Sequence, residues 1–291
     1  MNPGILYALA AYVLWGLLPI YWKWLLAVPA VQVVGHRIAW SFIMLLVFIL
    51  ITRQWQRFRS GLNRRSLSLY LLASTLLTVN WLVYVWAVNA GNIIETSLGY
   101  FINPLVSIVF GMVFLRERLR PGQWVPVLLA ASGVIYLTFM FGSLPWIALT
   151  LAFTFGFYGL VKKIAPLGSL HGLTLETGFV FVPAVCYLVY VELAGTGRFG
   201  HLGPETDLLM IGAGLITIAP LLLFASAASR ISLTLVGIMQ YIAPTIQFLI
   251  GVFMYHEPFS RERLVGFALV WIALLLFTLE GIYVRHMRAA A

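Results

Sequence analysis

Four ionisable residues interrupt otherwise apolar stretches of this chain: His36, Arg37, Glu95 and Glu176. In hydrocarbon such groups are costly, so they mark a solute path, a proton relay or a structural ion pair. Imidazole titrates near neutrality, guanidinium is a permanent two-pronged cation, and the two carboxylates can hold a cation or a proton. Each lies about one turn inside its stretch, so snorkelling to the interface, or an Arg37 to Glu95 pair, is the competing reading. A second set is polar without charge. Thr96, Tyr100, Asn103, Ser107 and Gly111 recur every three or four residues and share one helical face, and Gly237, Gln240, Pro244, Gln247 and Gly251 repeat the stripe. Such stripes either line a cavity or hold helices together. Asn80 with Tyr84, and Thr154 with Tyr158, stand one turn apart, while Trp15, Trp81 and Tyr241 offer aromatic walls unless they belong to interfacial belts. This chemistry is reversible binding. There is no HExxH, P-loop or nucleophile elbow. His171, His201 and His256 lie in separate connections, and the single cysteine, Cys186, can build neither a disulfide framework nor a metal site. No catalytic residue, metal or cofactor is expected.

The elements that must position these groups are membrane helices. The chain has 291 residues, 62% hydrophobic and only 9% charged, where a soluble domain carries about 25% charge. Its mean hydropathy is +0.98. Apolar runs span Ile5 to Trp22, Val33 to Ile51, Leu67 to Val88, Ile93 to Leu115, Trp124 to Phe141, Leu144 to Val161, Gly172 to Val191, Leu208 to Ala228, Leu233 to Tyr255 and Leu264 to Val284. The runs are continuous and of helical length, which predicts ten transmembrane helices and excludes a β-barrel. The first run lacks a basic leader and a cleavage site, so it is expected to remain as a span. Pro19, Pro104, Pro183, Pro220 and Pro244 fall inside runs, and each frees a carbonyl one turn earlier, near Trp15, Tyr100, Phe179, Ile216 and Gln240.

Basic residues set the orientation. With a cytoplasmic N-terminus, the inner connections carry Arg53, Arg57, Arg59, Arg64, Arg65, Arg116, Arg118, Arg120, Lys162, Lys163, Arg230, Arg285 and Arg288. The outer ones carry only Lys23, Arg198, Arg261 and Arg263. Both termini are therefore expected in the cytoplasm. The net charge of +9 is a topology signal rather than a nucleic-acid footprint.

A gap-free shift of 140 residues pairs Gly16 with Gly156, Lys23 with Lys163, Ala87 with Ala227, Pro104 with Pro244, Gly111 with Gly251 and Glu117 with Glu257. Each half holds five spans, an odd number, so the second half enters the membrane with the opposite polarity. Two inverted repeats follow, at residues 1–141 and 142–291, a frequent transporter design. The shift also pairs His36 with Glu176, at equivalent points near opposite faces.

The segments Tyr100-Phe101-Ile102-Asn103-Pro104-Leu105 with Phe114-Leu115-Arg116-Glu117-Arg118, and Gln240-Tyr241-Ile242-Ala243-Pro244-Thr245 with Tyr255-His256-Glu257, resemble the two EamA-type repeats of the drug/metabolite transporter superfamily. His36-Arg37-Ile38-Ala39-Trp40-Ser41, Asn80-Trp81, Glu95-Thr96-Ser97-Leu98-Gly99-Tyr100, Phe157 to Lys163 and Leu175-Glu176-Thr177 are similar to its RarD branch. The resemblance spans essentially the whole chain and implies a ten-helix, exporter-like permease of the bacterial inner membrane. It does not imply a cargo.

The expected function is alternating-access movement of a small amphipathic organic solute, outward. Coupling is to protons or is absent, since nothing in the chain binds ATP. The expected site lies near midplane, lined by Trp15, Asn80, Tyr84, Tyr100, Asn103, Tyr158, Gln240, Tyr241 and Gln247. His36, Arg37, Glu95 and Glu176 handle charge, and Pro104 and Pro244 bend the helices. The expected partners are the solute and the bilayer, with a monomer as the working oligomeric state. A non-transporting assembly or receptor protein, and an intramembrane enzyme, are the alternatives; the first predicts no midplane cavity and the second clustered catalytic groups at one depth.

Overall fold

The structure is a computed structural model that describes residues 2–89, 93–141, 145–255 and 261–290. Among these residues ten helical segments are long and apolar enough to cross a membrane. The helices are α1 (Pro3–Trp24), α2 (Ala30–Ile51), α3 (Trp55–Ser60), α4 (Arg64–Asn89), α5 (Ile93–Leu115), α6 (Pro121–Phe141), α7 (Trp146–Ile164), α8 (Ser169–Leu193), α9 (Pro204–Ala228), α10 (Leu233–Met239), α11 (Ile242–Leu249) and α12 (Arg261–Ala290). At 1.5 Å per residue, the 22 residues of α1 reach about 33 Å, the thickness of a hydrocarbon core.

Local chemistry starts these helices where expected. Asn2 accepts a hydrogen bond from the Gly4 amide at 2.9 Å and Pro3 occupies the first turn of α1. Pro204 opens α9, and Glu205 and Asp207 in its first turn meet the positive end of the helix dipole. Glu117, from the connection after α5, caps α10: its two oxygens accept from the amides of Leu233 and Thr234 and from the Thr234 hydroxyl at 2.7–2.9 Å.

Two details depart from the ten uninterrupted runs. A short helix, α3, fills the connection after α2, with Phe58 buried and its ring 5.9 Å from that of His171. The ninth run, Leu233 to Tyr255, is not one helix. It breaks at Gln240 and Tyr241 between α10 and α11, then widens into a π-helical turn at Ile250–Met254. Pro244 supplies the reason. It lacks the amide that would bond the Gln240 carbonyl, and the backbone tightens instead, with Tyr241 N donating to Ile238 O and Ala243 N to Gln240 O, both at 3.3 Å. Pro104, by contrast, lies inside an unbroken α5.

Packing crosses between the chain's halves more than it stays within them. The pairs in closest association are α5 with α7 and α10, α1 with α9 and α11, α2 with α8 and α9, α4 with α7 and α8, and α6 with α12. Small residues allow the approach. An added methyl at Gly16 would lie 2.7 Å from Ile246, and at Gly156 2.6 Å from Val106. Long apolar side chains such as Phe48, Phe139, Leu193 and Phe253 remain exposed on the outer surface, where lipid is the natural solvent.

Candidate functional site

The polar side chains predicted for the site separate into two neighbourhoods. One is the seam between α5 and the α10–α11 break. There Gly237 presses against the Pro104 carbonyl, and the Tyr241 hydroxyl donates to the Phe101 carbonyl at 3.2 Å. Asn103 and Gln240 are both buried, and among the described residues the side-chain oxygens Asn103 Oδ1 and Gln240 Oε1 meet no hydrogen-bond donor. A buried acceptor left unmet costs about 1–3 kcal/mol, so two on one seam are either strain or a place prepared for a donor.

Beside this seam the bundle centre is filled by rings. Trp15 packs 5.6 Å from Tyr12, 5.8 Å from Phe155 and 5.6 Å from Phe224, and Tyr158 stacks on Phe224 at 5.9 Å. Gln247 donates to the Trp15 carbonyl at 3.0 Å. That is the carbonyl Pro19 frees, so this glutamine repairs a kink rather than projecting into open space. Asn80 is similarly engaged: its Nδ2 donates to the Leu151 carbonyl and the Thr154 hydroxyl, both at 2.9 Å, fastening α4 to α7.

The second neighbourhood lies among α2, α4, α8 and α9. A narrow pocket there, with room for about one water, is lined by Ser41, Ser74, Thr78, Trp81, Glu176, Thr177 and Thr217, with Ile38, Leu77, Leu173 and Val180. Arg37 packs against two of its lining residues, Thr217 and Trp81. Its Nε donates to Thr217 Oγ1 at 2.9 Å, and its guanidinium lies over Trp81 at 4.3 Å and Trp22 at 5.2 Å. Tyr84 and Tyr100, with ring centroids 5.9 Å apart, are within electrostatic range of it. Glu95, the expected partner of Arg37, has its side chain outside the described residues.

Glu176 is not a lone carboxylate. Lys162 Nζ donates to its Oε1 at 2.6 Å and the Tyr158 hydroxyl to its Oε2 at 3.1 Å, with both charged side chains no more than 3% exposed. This corrects the sequence reading of Lys162 as a cytoplasmic loop charge. Helix α7 runs on to Ile164, past the end of the apolar run at Val161, and turns Lys162 inward on the face of Tyr158, four residues earlier. That spacing, with Glu176 on the next helix, is the signal that would have found it. Lys163 Nζ donates to the Ile231 carbonyl in the connection between α9 and α10 at 2.5 Å. His36 is buried under the connection after α8, its ring stacked on Phe199 at 5.0 Å, so the structure does not bring it to Glu176.

Comparison with known proteins follows the same fold. The EamA-like transporter family matches residues 2–139. Protein RarD of Escherichia coli K12 is 43% identical over 97% of this chain and 96% of its own length. The chain belongs to the EamA-like transporter family, in its RarD branch. Family relatives include an uncharacterized transporter of Bacillus subtilis, YojE, 47% identical over 96% of this chain and 94% of its own. The chloramphenicol-sensitive protein RarD of Pseudomonas aeruginosa is 31% identical over 94% and 92%. A crystal structure only 17% identical superposes with a TM-score of 0.69 over 96% of this chain and 98% of its own, which bears on fold alone. This EamA-family chain is thus a membrane transporter with ten spanning helices, a multi-pass protein of the bacterial inner membrane.

Proposed function

We propose that the chain is a secondary permease, not an enzyme, that moves a small amphipathic organic solute outward by rocking one half of the bundle against the other. The observation that carries this reading is the pair of buried, unmet amide oxygens of Asn103 and Gln240 on the seam where the tenth and eleventh helices break. A discontinuous helix with free polar groups at the junction of two halves suits a solute that exchanges its hydration shell for protein donors and acceptors.

The halves are read as inverted repeats, residues 1–141 and 142–291, and the packing supports this. Trp15 touches Phe155, and Phe101 lies 6.4 Å from Tyr241; in both pairs the partners are 140 residues apart. The contacts of Gly16 with Ile246 and of Gly156 with Val106 exchange under the same shift. Residues on a two-fold axis meet their own mates, and off-axis contacts occur twice. Both termini are placed in the cytoplasm on the distribution of arginine.

The test is flux of a solute panel by the purified protein in liposomes, with and without an imposed pH gradient. Solute-dependent flux is expected. Absence of flux for every solute and gradient returns the structural or receptor reading. Reporter fusions after Ala291 test the orientation.

A further inference from the structure

We infer that Arg37 is the recognition point for a carboxylate on the transported solute, beside the Thr217 and Trp81 edge of the hydroxyl-lined pocket among α2, α4, α8 and α9. This rests on the transport reading above but concerns a different place from the Asn103–Gln240 seam. Among the described residues the hydrogen bond of Arg37 is that of Nε to Thr217, and its two terminal nitrogens make none. They form the planar fork that matches a carboxylate with two parallel hydrogen bonds.

Charge balance selects the ligand's sign. Lys162 cancels Glu176, which lines the pocket, and among the described residues no carboxylate lies within ion-pair distance of Arg37. One negative charge neutralises it, whereas a phosphate monoester near two charges overshoots and is bulkier. The walls select the solute's body. Trp22 and Trp81 flank the guanidinium with ring faces, and Tyr84 and Tyr100 add amphipathic rings, so an apolar or aromatic group is accommodated beside the carboxylate. Ser41, Ser74, Thr78, Thr177 and Thr217 offer rotatable hydroxyls along the pocket. Because the pocket holds only about one water, the described state is closed around it, and solute entry requires the helices to part.

The experiment is ligand-induced thermal stabilisation of the purified full chain by phenylacetate, indole-3-acetate and 3-methylbutyrate, each against its neutral amide. Wild type should prefer the acids. Arg37→Lys, which keeps the charge but loses the fork, should weaken binding of the preferred acid about tenfold or more while leaving the weak amide response unchanged. Thr217→Val, which frees the side chain from its tether, should weaken it less. Glu95→Gln should retain the acid preference. Equal stabilisation by acids and amides, wild-type affinity in Arg37→Lys, or loss of preference in Glu95→Gln overturns the inference. Acid binding without flux leaves the Arg37 site standing and removes the transport reading; flux of neutral solutes without acid binding does the reverse.

Discussion

Breaking the Lys162–Glu176 pair should reveal how much of this fold depends on a charge cancelled in the dark. The side chains are 3% and 2% exposed and 2.6 Å apart, so water screens neither. Lys162→Met leaves the carboxylate with only the Tyr158 hydroxyl, an uncompensated buried charge worth about 3–5 kcal/mol of lost stability. Glu176→Leu strands the buried Lys162 ammonium in turn and should cost about as much, about 3–5 kcal/mol. The double variant Lys162→Met with Glu176→Leu removes both charges and keeps the volume. It should lie within about 1–2 kcal/mol of wild type, since well-packed apolar replacements of buried pairs are often neutral. Unfolding by SDS titration in mixed micelles, run as a double-mutant cycle, reads the coupling directly. A coupling above about 2 kcal/mol is expected. Additive losses, with coupling under about 0.5 kcal/mol, would refute the buried pair and return Lys162 to the cytoplasmic loop.

Three further outcomes separate the residues that bind from those that hold. Asn103→Ala and Gln240→Ala remove oxygens that meet no donor among the described residues, so stability should change by less than about 1 kcal/mol while liposome flux falls about tenfold or more; wild-type flux in both would remove the seam as a site. Asn80→Ala, which loses two interhelical hydrogen bonds, should instead destabilise by about 1–3 kcal/mol, measured by the same SDS titration. Gly16→Ala and Gly156→Ala each drive a methyl into a β-branched neighbour and should cost about 1–3 kcal/mol alike, with Ile246→Ala and Val106→Ala as the respective rescues; a large inequality would count against equivalent halves.

Much of this protein is written in one dimension. Hydrocarbon admits only backbones that satisfy their own hydrogen bonds, so long apolar runs had to become helices. The 140-residue register was visible because prolines, glycines and charges recur at fixed spacing. Partnership was not visible. Whether an amide in a helix lines a cavity or fastens a neighbour depends on what faces it: Asn80 and Gln247 are engaged, while the oxygens of Asn103 and Gln240 meet no donor among the described residues. Lys162 shows the limit most sharply. Its position at the end of an apolar run looks like an interfacial charge, and only the approach of α8 makes it the counter-ion of Glu176. Spacing along a helix determines which side chains share a face, but the packing of the other helices decides whether that face meets a carboxylate, a carbonyl or open space.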